Sequence, residues 1–269
     1  IRGFTMSLTG KTLASTYNGI VITEDTTNGI GTSLGKIKSG NGNSSSLQLS
    51  DDNLKVTPQN DDTTTVVSVT DKDSNALLTV DSTNDVVKLG IGQHYANTAI
   101  KDYFLNSAAA LPGYADTWTA LGQGSGGRTQ SATAITMGTG GTPATTYTIS
   151  TTGDDMVSCF WYLPFNITID SCRVWFGADA ASGDVVKFSV MSYTVDSGNG
   201  STSGDLTSGV ENCVSPATIT GAGYEQAYTQ ALTVSTANVD AGKMIGAFVH
   251  QNGTNADLSI QLQLVYHLR

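Results

Sequence analysis

The stretch D-L-S-I-Q-L-Q-L-V-Y-H-L-R, Asp257 to Arg269, decides the fold class. Leu258, Ile260, Leu262, Leu264, Tyr266 and Leu268 share one parity. Ser259, Gln261, Gln263, His267 and Arg269 share the other. Successive residues of a strand point to opposite faces, so this alternation reads as a strand with one dry and one wet side, and the end of the chain is expected inside a sheet.

The rest of the chain has the same texture. Its 269 residues include 38 Thr, 27 Ser and 30 Gly, and only 13% are charged, about half the share in typical soluble domains. Threonine suits a pleated surface, and serine and glycine suit turns. An all-β protein with many turns follows. From about residue 144 the alternation predicts strands at Thr145–Ser150, Met156–Leu163, Ile167–Phe176, Val185–Val195, Glu211–Thr220, Tyr224–Ser235, Lys243–Gln251 and Leu258–Leu268. Eight strands with uneven loops predict a β-sandwich of jelly-roll type over residues 144–269.

Residues 1–96 read as a slender β region. Short apolar runs such as Leu47-Gln48-Leu49, Val66-Val67-Ser68-Val69, Ala76–Val80 and Val86–Leu89 alternate with turn sets such as Asp71-Lys72-Asp73-Ser74-Asn75. One copy of such a region buries little, and small sheets that fail alone succeed by association. Self-association, with a threefold axis, is the expectation. Residues 97–143 read as a connector. Ile100, Phe104, Ala108 and Leu111 have helical spacing behind a Thr98 cap, which predicts a short helix over 97–111. The glycine-dense stretches Gly122–Gly127 and Gly138–Pro143 read as linkers.

Two predicted strands are apolar on both parities, Met156–Leu163 and Lys243–Val249. A sandwich strand needs only one dry face. Phe160, Tyr162, Ile245, Ala247 and Val249 are therefore expected at a subunit interface, the alternative being a covering loop of the same chain.

No chemistry announces itself. The net charge of −10 opposes nucleic acid, since phosphate neutralisation needs clustered Lys and Arg. No apolar run reaches the roughly 18 residues of a membrane span. The three histidines, His94, His250 and His267, read as surface residues, with no metal partner at ligand spacing. The Asp71 turn lacks the Gly and Glu of a calcium loop and reads as an Asx turn. Cys159 reads as a buried small hydrophobe, with a Cys159–Cys172 bridge as the alternative. Gly122–Gly127 has no βαβ context and is no dinucleotide fingerprint. No catalytic, cofactor or metal site is assigned. Tyr224 and Tyr228, flanking Glu225-Gln226, are the candidate surface for stacking on a sugar.

The string Lys38-Ser39-Gly40-Asn41-Gly42-Asn43-Ser44-Ser45-Ser46-Leu47-Gln48-Leu49-Ser50, with Asp71–Asp81, resembles the N-terminal β region of virion structural proteins of tailed bacteriophages, marine ones in particular: fibre, spike and head-decoration proteins. The likeness covers about residues 5–95. The C-terminal domain resembles the jelly-roll heads that cap such fibres. The resemblance implies a non-enzymatic homotrimer on the virion surface. Its N-terminal region would attach to other virion proteins of capsid or tail, and its outward head would contact a host surface glycan. A capsid-cementing protein and a glycan-degrading tail enzyme are the alternatives.

Overall fold

The computed structural model describes residues 21–25, 29–39, 42–60, 64–106, 116–123, 135–148, 156, 158–179, 185–196, 205–217, 219–220, 225–252 and 257–269. Every regular element of length among them is a strand, and the chain divides into two compact units, Ile1–Ala96 and Asn97–Arg269.

The first unit holds two antiparallel four-stranded meanders. One is β1 (Val21–Thr23), β2 (Gly35–Ser39), β3 (Ser44–Leu49) and β4 (Leu54–Val56). The other is β5 (Val67–Thr70), β6 (Ala76–Asp81), β7 (Val86–Leu89) and β8 (His94–Tyr95). Asx chemistry makes the turns. The Asp71 carboxylate accepts the Asp73 and Asn75 N–H groups and the Asn75 amide, and Ser74 beside it takes a positive φ of 67°. Asp81 repeats the device on Thr83 and Asn84. Such side chains mimic a backbone turn, which is why Asp and Asn separate these strands.

Among the described residues of this unit no hydrophobic side chain is buried. The buried residues are Ser50, Thr79 and Asp81. The ladder partners Val67–Val80–Val87 and Val69–Leu78–Leu89 line one face of the second meander. On that face Val69 is 50% and Leu89 44% exposed. The sheet is assembled, and its apolar face is only partly covered: Val67, Leu78 and Val80 are half-buried.

The second unit is a β-sandwich whose two sheets run together into one nearly closed barrel. The first sheet holds β9 (Thr98–Asn106), β11 (Gly122–Gln123), β13 (Ile167–Asp179), β17 (Glu225–Val234) and β20 (Asp257–Leu268), with β18 (Asn238–Val239) on β13. The second holds β10 (Thr117–Ala120), β12 (Phe160–Tyr162), β14 (Val185–Val195), β15 (Leu206–Val214) and β19 (Lys243–Gln251), with β16 (Ile219–Thr220) on β14. The β15–β17 pair joins the sheets on one side. On the other side the chain passes from β10, paired with β19, to β11, paired with β9. It turns at Leu121, whose N–H donates to the Ala247 carbonyl. The order β14-β15-β17-β13 is a Greek-key path. The opening stretch lies between β13 and β9 as β20.

Two cores result. Between the sheets lie Tyr103, Leu105, Val174, Phe176, Phe188, Val190, Ile245, Ala247, Val249, Ile260, Leu262 and Leu264. Outside the second sheet Trp118, Ile135, Met137, Met156, Cys159, Phe160, Met191, Tyr193, Leu206 and Phe248 form another. This second core corrects the interface expectation. Ile245, Ala247 and Val249 face the first core, Gly246 and Phe248 the second, and both covers come from the same chain. Phe160 is buried in the outer core; Tyr162 of that set is exposed. The parity argument fails at Phe160 because Met156, Ser158 and Cys159 are helical, and the strand starts only at Phe160.

The connector is corrected as well. Residues Thr98–Asn106 are strand, not helix, and Ile100 and Phe104 lie on β9; Ala108 and Leu111 fall outside the described residues. Gly138–Pro143 is exposed up to the buried Pro143 but is tied to β10: the Trp118 indole donates to the Gly140 carbonyl at 3.0 Å, the Trp118 N–H donates to the Gly138 carbonyl, and the Met137 N–H donates to the Trp118 carbonyl.

The remaining face of the first sheet is open. Its ladder rows read Ser171–Val265–Ile100, then Ala231–Arg173–Gln263–Asp102, then Thr229–Trp175–Gln261–Phe104. Trp175 is 54% exposed there, and Ile100 is exposed too.

Candidate functional site

The residues singled out for recognition separate in the structure. Tyr224 lies outside the described residues. Tyr228 is half-buried: its ring stacks on Phe176 at 5.1 Å and 19°, and its hydroxyl donates to the Gln226 side chain. One face of that ring is already taken by the core.

The histidines are not surface residues throughout. His250 and His267 are buried. His250 lies against the Trp118 ring at 5.1 Å, and burial lowers its pKa. His267 Nδ1 meets both oxygens of Asp170, at 2.8 and 3.0 Å. The three cysteines are all buried, and none forms a disulfide. Cys159 belongs to the outer core and Cys172 to the inner, so the bridge considered between them is excluded by position. The neighbour of Cys172 is Cys213, which with burial raises the Cys172 pKa.

A different set of aromatics does converge. Where β12 ends, the chain runs Trp161-Tyr162-Leu163-Pro164-Phe165 before β13 begins. Trp161 packs at 5.1 Å and a 50° tilt against Tyr266 near the end of β20. Leu163, Pro164, Phe165, Ile167, Leu268, Ala99 and Asn97 complete a cleft of about 240 Å³. Phe165 is 60% exposed at its mouth. Its lining is apolar apart from Asn97, whose amide donates to the Leu268 carbonyl and so holds the start of β9 beside the end of β20.

One cation stands beside Trp161, next to the residues that line the cleft. Lys101 is two residues beyond Ala99 on the same side of β9. Its Nζ lies 5.6 Å from the Trp161 ring centre and 5.9 Å from that of Tyr103. Burial lowers its pKa, and the charge of Asp102 opposes that fall. Neither ring neutralises it, although each offers the negative face of its quadrupole.

The sequence reading missed this cleft. Trp161 lies on β12 of the second sheet, paired with β19, and Tyr266 on β20 of the first, so only the packing of the two sheets brings them together. The one local signal is the run Trp161–Phe165, three aromatics and a proline in five residues.

No protein-family model matches the chain, and no curated protein matches it.

Proposed function

We propose that this chain is a non-enzymatic, self-associating structural protein of a tailed-bacteriophage virion. It acts as a trimeric fibre, spike or decoration subunit, anchored through residues 1–96 and presenting the sandwich outward to the host surface. The observation that carries the self-association is the incomplete burial of the first unit, where no described hydrophobic side chain is fully buried. A four-stranded sheet with a partly uncovered aliphatic face gains about 25 cal/mol for each further Å² it covers, and sister copies supply that cover.

The sandwich supports the same reading. The outer side of its second sheet is closed by its own chain, whereas the first sheet shows Ile100, Val265, Trp175 and Phe104 around a polar row. Within that row Arg173 stands at one side and Asp102 at the other, separated by Gln263. Such a row is self-complementary in charge, so copies meeting here can pair Arg173 with Asp102. The interface belongs on this face rather than on Phe160, Ile245, Ala247 and Val249. The virion assignment itself rests on the resemblance of residues 38–50 and 71–81.

Light scattering on the purified chain tests the reading. The expected mass is three times that of one chain. A monomer at micromolar concentration overturns it.

A further inference from the structure

The aromatic cleft deepens the host-surface part of that proposal, and rests on it for its biological setting though not for its chemistry. We propose that the cleft bounded by Trp161, Phe165 and Tyr266 binds an acidic sugar residue, the apolar side of the ring lying against the aromatics and the carboxylate drawn to Lys101.

Three observations converge. The cleft, at about 240 Å³, is smaller than the pockets that hold drug-sized ligands and suits a single ring. Its lining is aromatic and aliphatic, and the exposed Phe165 leaves part of that surface in water. Aromatic faces are negative and attract the weakly positive C–H groups of a pyranose. The third observation is Lys101. An ammonium drawn out of water is costly unless it is paired. Among the described residues no carboxylate oxygen lies within 4 Å of its Nζ; what it has is two aromatic rings. A ligand carboxylate would complete its partners, and such charge-assisted bonds are the strong ones. A neutral apolar peptide would fill the cleft and leave the ammonium unanswered.

The test titrates the full-length chain with trigalacturonate, and with maltotriose as the neutral control, following tryptophan fluorescence and saturation-transfer NMR. The acidic trisaccharide should bind with a Kd in the millimolar range or tighter, and maltotriose about tenfold more weakly, the worth of one charge-assisted bond. Lys101→Met should abolish that preference and leave the weak neutral binding in place. Phe165→Ala, at an exposed position, should weaken both. Raising the salt to about 0.5 M should cut the acidic preference in the wild-type chain, a readout that stands even where a variant fails to fold. No binding of trigalacturonate at about ten times that Kd, equal affinity for both sugars, or a preference untouched by salt and by Lys101→Met overturns the inference. A trimer that ignores acidic sugars removes this inference alone; a monomer that binds them keeps it and removes the fibre reading.

Discussion

Phe160 and Gly246 are ladder partners between β12 and β19, and the Phe160 ring fills the space above Gly246. A Cβ on Gly246 would stand 2.7 Å from Phe160 Cε1 and 2.8 Å from the Phe248 ring. The outer core closes over the second sheet because this strand has no side chain at that point. That contact, rather than a neighbouring subunit, uses the second apolar face of β19.

Gly246→Ala should therefore destabilise the sandwich. Neither ring has room, since Phe160 and Phe248 also pack on Tyr193 and on each other. Overpacking of this kind costs about 1–3 kcal/mol. Chemical denaturation of the wild-type and variant chains measures it. An unchanged midpoint would show that the outer core is looser than these distances imply.

Trp175→Glu should leave the fold intact and lower the mass in solution. Trp175 lies on the open face of the first sheet, where a surface change alters monomer stability by no more than about 0.5 kcal/mol. In an assembly built on that face it would bury three carboxylates near one axis, which desolvation forbids. Light scattering and near-ultraviolet circular dichroism separate the two effects. A variant that keeps the wild-type mass moves the interface elsewhere.

Leu89→Ser probes the first unit in the same way. In a lone chain Leu89 is 44% exposed and its loss is nearly neutral. Covered by sister copies, the same leucine contributes about 2–5 kcal/mol. The expected result is a melting temperature that rises with chain concentration in the wild type and falls at every concentration in the variant. Identical, concentration-independent melting of both would refute the cover.

The fold was legible where alternation was strong. The expected Val185–Val195 and Lys243–Gln251 are β14 and β19 to the residue, and Leu258–Leu268 is β20 within one. The helix expected over 97–111 failed for a definite reason. Ile100 and Phe104 are four apart, a spacing that puts two residues on one face of a helix and equally on one face of a strand. Pairing with β20 settled it, through partners more than 150 residues away. Gly138–Pro143 looked like a linker because glycine density says nothing of an indole waiting for a carbonyl. The aromatic cleft was least legible, since Trp161 and Tyr266 sit on different sheets and meet only where those sheets pack together.

Acid should act first on the residue 1–96 unit. Glu24, Asp71 and Asp81 all have pKa values below the ordinary ones. Glu24 is held down by hydrogen bonding to Lys38, Asp71 by the Asn75 side chain, and Asp81 by the Asn84 side chain. All three lie in that unit. A carboxylate whose pKa is lower folded than unfolded adds stability that is complete above the unfolded value. That stability is lost as pH falls through the folded value. The window therefore opens near the ordinary 3.8 of Asp and 4.5 of Glu and extends below them. Hydrogen exchange, corrected for intrinsic rates, should show β5–β8 losing protection between about pH 4.5 and 3 while β13, β19 and β20 keep theirs. Asp81→Asn should lower protection at neutral pH and shrink the loss on acidification, because the titrating group is gone. Equal acid sensitivity in both units would show that these turn carboxylates do not set the stability of the first.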